Sequence, residues 1–254
     1  MMEFLDYLRN VKKRSERSLR TYHSILREFR RFEPITPRSW GRYLEHIKNN
    51  TPRTQRLKLT VVKKYLNWKA DNNLITVDRR FWNEAEAPRE KKLPTVLTVD
   101  EIKKLLNSID NEYYKAIFTF LFTTGMRISE FVNLKVEDIT LMGNTAQIRI
   151  YGKGRKERVI TVKRGLIDYA MKQGIFTKKV SARAIEKALQ KYSRKAGINK
   201  RITPHTLRHS FAVALIEKGL PLNKIQALLG HSNIATTSVY LEVSSSNVLV
   251  PSLL

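Results

Sequence analysis

Through residues 1–86, apolar side chains recur every three or four positions with charge on the remaining faces, the period of amphipathic helices. Leu19, Tyr22, Leu26 and Phe29 form one such stripe, with Arg20, Arg27, Arg30 and Arg31 around it. Thr36 before Pro37 reads as an N-cap followed by proline at the first helical position, with Trp40, Tyr43, Leu44 and Ile47 behind it. The same punctuation at Thr51-Pro52 opens a stripe of Leu57, Val61, Tyr65 and Trp68 that ends at Asn72-Asn73. The expectation is a small, basic, all-helical bundle.

The pattern breaks at "EAPREKKLPTVLTVDE", where two prolines and a charge run read as a linker over 87–95. Thr98 and Glu101 match a capping box at the start of the next helix. An apolar helix, "YYKAIFTFLFTTG", ends near Gly125 and gives way to "MRISEFVNL". The period then switches from helix to strand. Ala146–Ile150 and Arg158–Val162 are β-prone runs around a glycine-rich connection, which predicts a hairpin. Helical periodicity returns from "GLIDYAMKQG" onward. The predicted class is mainly α with a small antiparallel β-sheet, in two domains at 1–86 and 96–254.

Composition narrows the function classes. The chain has 254 residues and no cysteine, which excludes disulfides, thiol catalysis and cysteine-ligated metals and fits a cytoplasmic protein. No apolar run reaches the ~20 residues that cross a bilayer, and the expectation is neither a membrane partner nor a signal peptide. The formal net charge is +25. Residues 1–86 carry 20 Lys/Arg against 10 Asp/Glu, and the remainder 28 against 13, so both parts are basic. Such an excess favours a polyanion, above all nucleic acid, through counterion release and steering.

Four stretches carry candidate chemistry. In "TTGMRISEFVNL" Arg127 follows a helix-ending glycine and opens another helix, with Glu130 on the same face able to orient it; the other reading is a surface ion pair. In "YGKGRKER" Lys153 stands between two glycines at a hairpin turn, either reaching into a cleft or lying in a solvated loop. In "TPHTLRHSFA" Thr203 and Pro204 open a helix that carries His205 and Arg208 at i and i+3. His205 and His209 also have metal-ligand spacing, but "HTLRH" lacks the glutamate of H-E-x-x-H and sets an arginine beside the pair. That disfavours metal and leaves His209 a structural role. In "LLGHSNIATTSVYLEV" His231 follows a glycine after a helix end, and Tyr240 comes later.

The order of these stretches resembles the tyrosine recombinase (phage integrase) family, most closely its compact Xer-like members. The resemblance covers essentially the whole chain and rests on "RISE", "GKG", "HTLR", "LLGHS" and "TTSVY". It implies a helical core-binding, DNA-clamping domain followed by a mixed α/β catalytic domain. It further implies a cationic pocket of Arg127, Lys153, His205, Arg208 and His231, with Glu130 supporting Arg127 and Tyr240 as nucleophile. DNA contacts are expected from Arg20, Arg27, Arg53, Arg56, Arg155 and Lys156.

The implied reaction is metal-free and cofactor-free cleavage and rejoining of double-stranded DNA through a 3′-phosphotyrosyl intermediate. Its setting would be chromosome-dimer resolution or movement of a mobile element, on the nucleoid. The implied assembly is a homotetramer on two duplexes, with a monomer or dimer off DNA. The 14 residues after Tyr240 are short for the usual exchanged helix, and the expectation is that they bury their apolar residues in cis or on a neighbour. Two alternatives share part of this pattern: a type IB-like topoisomerase, and a DNA-binding relative without catalysis.

Overall fold

A computed structural model describes residues 1–88, 93–152 and 157–230. The chain packs as two units that meet in sequence between Lys92 and Leu93.

In the first unit, α1 (Met2–Asn10), α2 (Glu16–Phe29), α3 (Pro37–Lys48), α4 (Pro52–Asp71) and the short α5 (Arg80–Asn83) surround a core that includes Phe4, Leu26, Phe29, Tyr43, Leu66 and Trp82. Local chemistry sets the helix starts. The Ser15, Thr36 and Thr51 hydroxyls accept N–H groups of the first turns of α2, α3 and α4, and proline opens both α3 and α4. Trp82 enters the core because its indole N–H finds the Asn67 Oδ1 at 2.9 Å. One position departs from the sequence pattern. Leu57 is 46% exposed, and α4 buries Leu59, Val61, Val62, Tyr65 and Leu66 instead. Helices on two sides widen its apolar face beyond a single stripe. The DNA-contact candidates Arg20, Arg27, Arg53 and Arg56 are exposed, and Arg56 donates to the Pro88 carbonyl at 3.0 Å.

The second unit is built on α7 (Glu112–Thr124), which follows α6 (Val99–Asn107) and is buried on nearly every side. That burial explains a helix apolar all round rather than striped. Beyond the single-turn α8 (Ile128–Phe131) come three antiparallel strands in the order β1 (Ile139–Met142), β2 (Thr145–Tyr151) and β3 (Glu157–Lys163). β1 adds an edge strand to the hairpin expected from sequence. Three of its four residues are exposed, so it lacks the alternation that marks a half-buried strand.

Register pairs Ile148 with Ile160 and Ile150 with Arg158, so Ala146, Ile148, Ile150 and Ile160 enter the core on one face. α9 (Arg164–Lys172), α10 (Ala182–Lys195), α11 (Pro204–Glu217) and α12 (Leu222–Leu229) complete the unit. α7 and α11 pack side by side, and α12 packs on α11 and on β3. Among the described residues no helix is long and apolar enough to cross a membrane.

Candidate active site

α7 ends at Gly125, whose left-handed φ of 60° turns the chain toward α8. A Cβ there would lie 2.3 Å from the Phe211 ring and 3.0 Å from Leu229, so only glycine lets this turn press against α11 and α12. Arg127 is then delivered as the N-cap residue of α8. The Arg127 N–H donates to Glu130 Oε2 at 2.9 Å, and its Nη1 donates to Glu130 Oε1 at 2.7 Å. The carboxylate thus caps the helix and grips the guanidinium at once.

Arg208 arrives from α11, whose first turn is set by Thr203 accepting the Thr206 N–H at 3.3 Å and by Pro204. Its side chain is 2% exposed. Nη1 donates to the Gly125 carbonyl at 2.6 Å, Nη2 donates to the Leu229 carbonyl, and Nη1 stands 4.0 Å from Glu130 Oε2. Arg127 Nη2 donates to the next carbonyl, Gly230, at 3.3 Å.

A third arginine, absent from the sequence-based set, completes the group. Arg158 donates from Nη1 and Nη2 to the two oxygens of Glu130, at 3.0 and 2.7 Å, and from Nε to the Leu228 carbonyl at 2.8 Å. Its signal was present in the strand alternation. In "RVITV" Arg158 shares a face with Ile160 and Val162, and an arginine on an inward strand position needs buried partners.

Three successive carbonyls, Leu228, Leu229 and Gly230, therefore each accept from a different arginine. They close the C-terminal end of α12, where carbonyls lack helical partners and the helix dipole is negative. Burial pushes the Glu130 carboxyl up, but hydrogen bonds from Arg158 and the Arg127 N–H, with the arginine charges, bring it down to about 2. One carboxylate among three guanidinium groups leaves the cluster cationic, which suits a phosphate diester.

His205 is exposed, one turn before the buried Arg208, and its ring lies 6.3 Å from that of His209. Burial, then the charges of His205 and Arg208, lower His209 to about 4, so it is neutral at pH 7. Among the described residues no three His, Asp or Glu side chains converge as metal ligands. Lys153, Arg155, Lys156, His231 and Tyr240 lie outside the described residues.

Comparison with known proteins places this geometry in context. The tyrosine recombinase XerD of Staphylococcus epidermidis (strain RP62A) is 40% identical over 188 residues, covering 64% of this chain and 63% of the relative. XerD of Staphylococcus aureus (strain N315) is 37% identical over 183 residues, covering 63% and 61%. The chain thus spans less than two thirds of the length of these curated relatives. The fold matches the XerH site-specific recombinase bound to its palindromic difH substrate in a post-cleavage complex, with a TM-score of 0.77 and 22% identity over 96% of this chain and 80% of that one. It also matches a lambda integrase dimer bound to a COC′ core site, with a TM-score of 0.77 and 16% identity over 100% and 80%. The phage integrase family model matches residues 95–247, more than half of the sequence and all of the arginine cluster, and the chain belongs to that family.

Proposed function

We propose that this chain is a site-specific DNA recombinase that cuts and rejoins double-stranded DNA through a covalent tyrosyl link. The observation that carries the reading is the convergence of Arg127 and Arg208 on one buried carboxylate and on adjacent carbonyls at the end of α12, one residue before His231. A phosphodiester resists attack because its anionic oxygens repel an incoming oxyanion. Two guanidinium groups fixed in advance offset that charge and its growth in the transition state.

In this scheme Tyr240 Oη attacks the phosphorus, and its phenol (reference pKa ~10) is easier to ionise than an alcohol in a cationic site. The bond from phosphorus to the 5′-oxygen breaks, and Lys153 supplies the proton that oxygen takes up. His205 assists proton transfer by taking up the proton that the phenol releases, and His231 hydrogen-bonds the phosphate. The 3′-phosphotyrosyl bond conserves the energy of the broken linkage, so a 5′-hydroxyl of a partner strand reverses the step without nucleotide hydrolysis. Exposed Arg20, Arg27, Arg53 and Arg56, with Arg155 and Lys156, contribute contacts to the DNA backbone. The working form is a tetramer on two duplexes, acting on DNA in the cytoplasm.

The test is a duplex enriched by this chain from a randomised pool and nicked so that the released fragment diffuses away. The wild-type chain is expected to accumulate a covalent protein–DNA product, and Tyr240→Phe to bind the same duplex without forming it. A product of unchanged yield from Tyr240→Phe overturns the assignment of the nucleophile.

A further inference from the structure

Arg158 uses all three of its guanidinium nitrogens inside the protein: Nε on the Leu228 carbonyl, Nη1 and Nη2 on Glu130. Its side chain is 11% exposed. Its two Nη atoms are aimed at Glu130 and its Nε at the end of α12, so its contacts run through those groups. We propose that Arg158 is a positioning residue, which sets Arg127 through Glu130 and sets the Leu228–Gly230 turn in the geometry that a scissile phosphate requires. This rests on the recombinase reading above.

The argument is geometric. A carboxylate held by one arginine can still swing about its last bond. Glu130 cannot, because each oxygen carries two donors: Oε1 takes Arg127 Nη1 and Arg158 Nη1, and Oε2 takes the Arg127 N–H and Arg158 Nη2. The carboxylate that orients the Arg127 guanidinium is therefore held from its other side by Arg158.

The same side chain reaches the end of α12 and lies flat against it. A Cβ on Gly230 would stand 3.1 Å from Arg158 Nη1 and 3.2 Å from Cδ, at a backbone φ of 65° that already favours glycine. Arg158 thus links β3, the α8 cap and the α12 exit, which leads directly into His231. Lysine keeps the charge but not the planar fork, so it cannot hold both carboxylate oxygens and the carbonyl together.

The experiment measures covalent-product formation on the nicked duplex above, binding of that duplex, and thermal melting, for the wild-type chain, Arg158→Lys, Arg127→Lys and the double variant. Arg158→Lys is expected to slow product formation about 100-fold, the scale of a small misplacement at a reacting centre. Its affinity for the duplex is expected to stay within about threefold, since phosphate contacts elsewhere dominate binding. The double variant is expected to be slower than Arg127→Lys by far less than the full Arg158→Lys factor, because the two share Glu130 and only the hold on the α12 turn remains to be lost.

Product formation by Arg158→Lys at the wild-type rate overturns the proposal. So does a loss of rate matched by an equal loss of affinity or by a collapsed melting transition, which marks a merely structural role. Multiplying defects in the double variant also overturn it. A wild-type chain that forms no covalent product at all refutes the recombinase reading first, and this assignment falls with it.

Discussion

At the scale of single residues, the neighbourhood of Arg208 has a measurable acid sensitivity. His209 has its pKa lowered from 6.5 to about 4 by burial first, then by His205 and Arg208. A folded-state pKa below the unfolded one means that the unfolded chain takes up the proton more readily. The stability is therefore present in full above about pH 6.5 and drains as pH falls toward 4. His209→Gln is expected to flatten the melting temperature over that window, and an unchanged profile refutes the assignment. Glu130 acts in a different range. Its carboxyl is held at about 2 against an ordinary 4.5, so its contribution is present above 4.5 and disappears only between those values. One contact of the site was legible from sequence because it sat in local spacing: R-x-x-E put Glu130 beside Arg127. Arg158 was harder to read, because only its place on the inward face of β3 marks it, and its partners lie 28 and 70 positions away.

At the scale of elements, the sequence spoke most clearly where a helix begins. Thr36, Thr51, Thr98 and Thr203 each cap the helix that follows. A cap is chosen by residues within three positions of one another, so it needs no knowledge of the tertiary fold. Thr203→Ala removes the acceptor of the Thr206 N–H and is expected to cost about 1 kcal/mol. Chemical denaturation would show this as a lower midpoint with an unchanged slope, whereas an unchanged midpoint means the cap is dispensable. Other elements depend on neighbours the sequence does not announce. β1 is an exposed edge strand that exists because β2 pairs with it from Ile139 opposite Ile148 to Met142 opposite Thr145. Leu57 keeps helical spacing yet stays exposed, because packing rather than period decides which face of α4 is covered.

At the scale of the whole molecule, a net charge of +25 shared by both parts of the chain dictates how affinity responds to salt. Contacts to 6–10 phosphates predict that affinity for an arbitrary duplex drops roughly 10³- to 10⁵-fold between 50 and 200 mM salt. Fluorescence anisotropy titrations would measure the slope, and binding indifferent to salt would rule out a grip on the DNA backbone. The arginine cluster adds a consequence of another kind. The Arg127 bond to Gly230 closes a span of 103 residues, and the Arg208 bond to Gly125 closes 83. Contacts so remote in sequence form only when intervening helices and strands have found their places, and loop-closure entropy makes them late arrivals in folding. A partly folded molecule therefore carries every arginine and still has no assembled cluster. The arrangement proposed to hold a scissile phosphate is withheld until the second unit is whole, a safeguard that comes from topology alone.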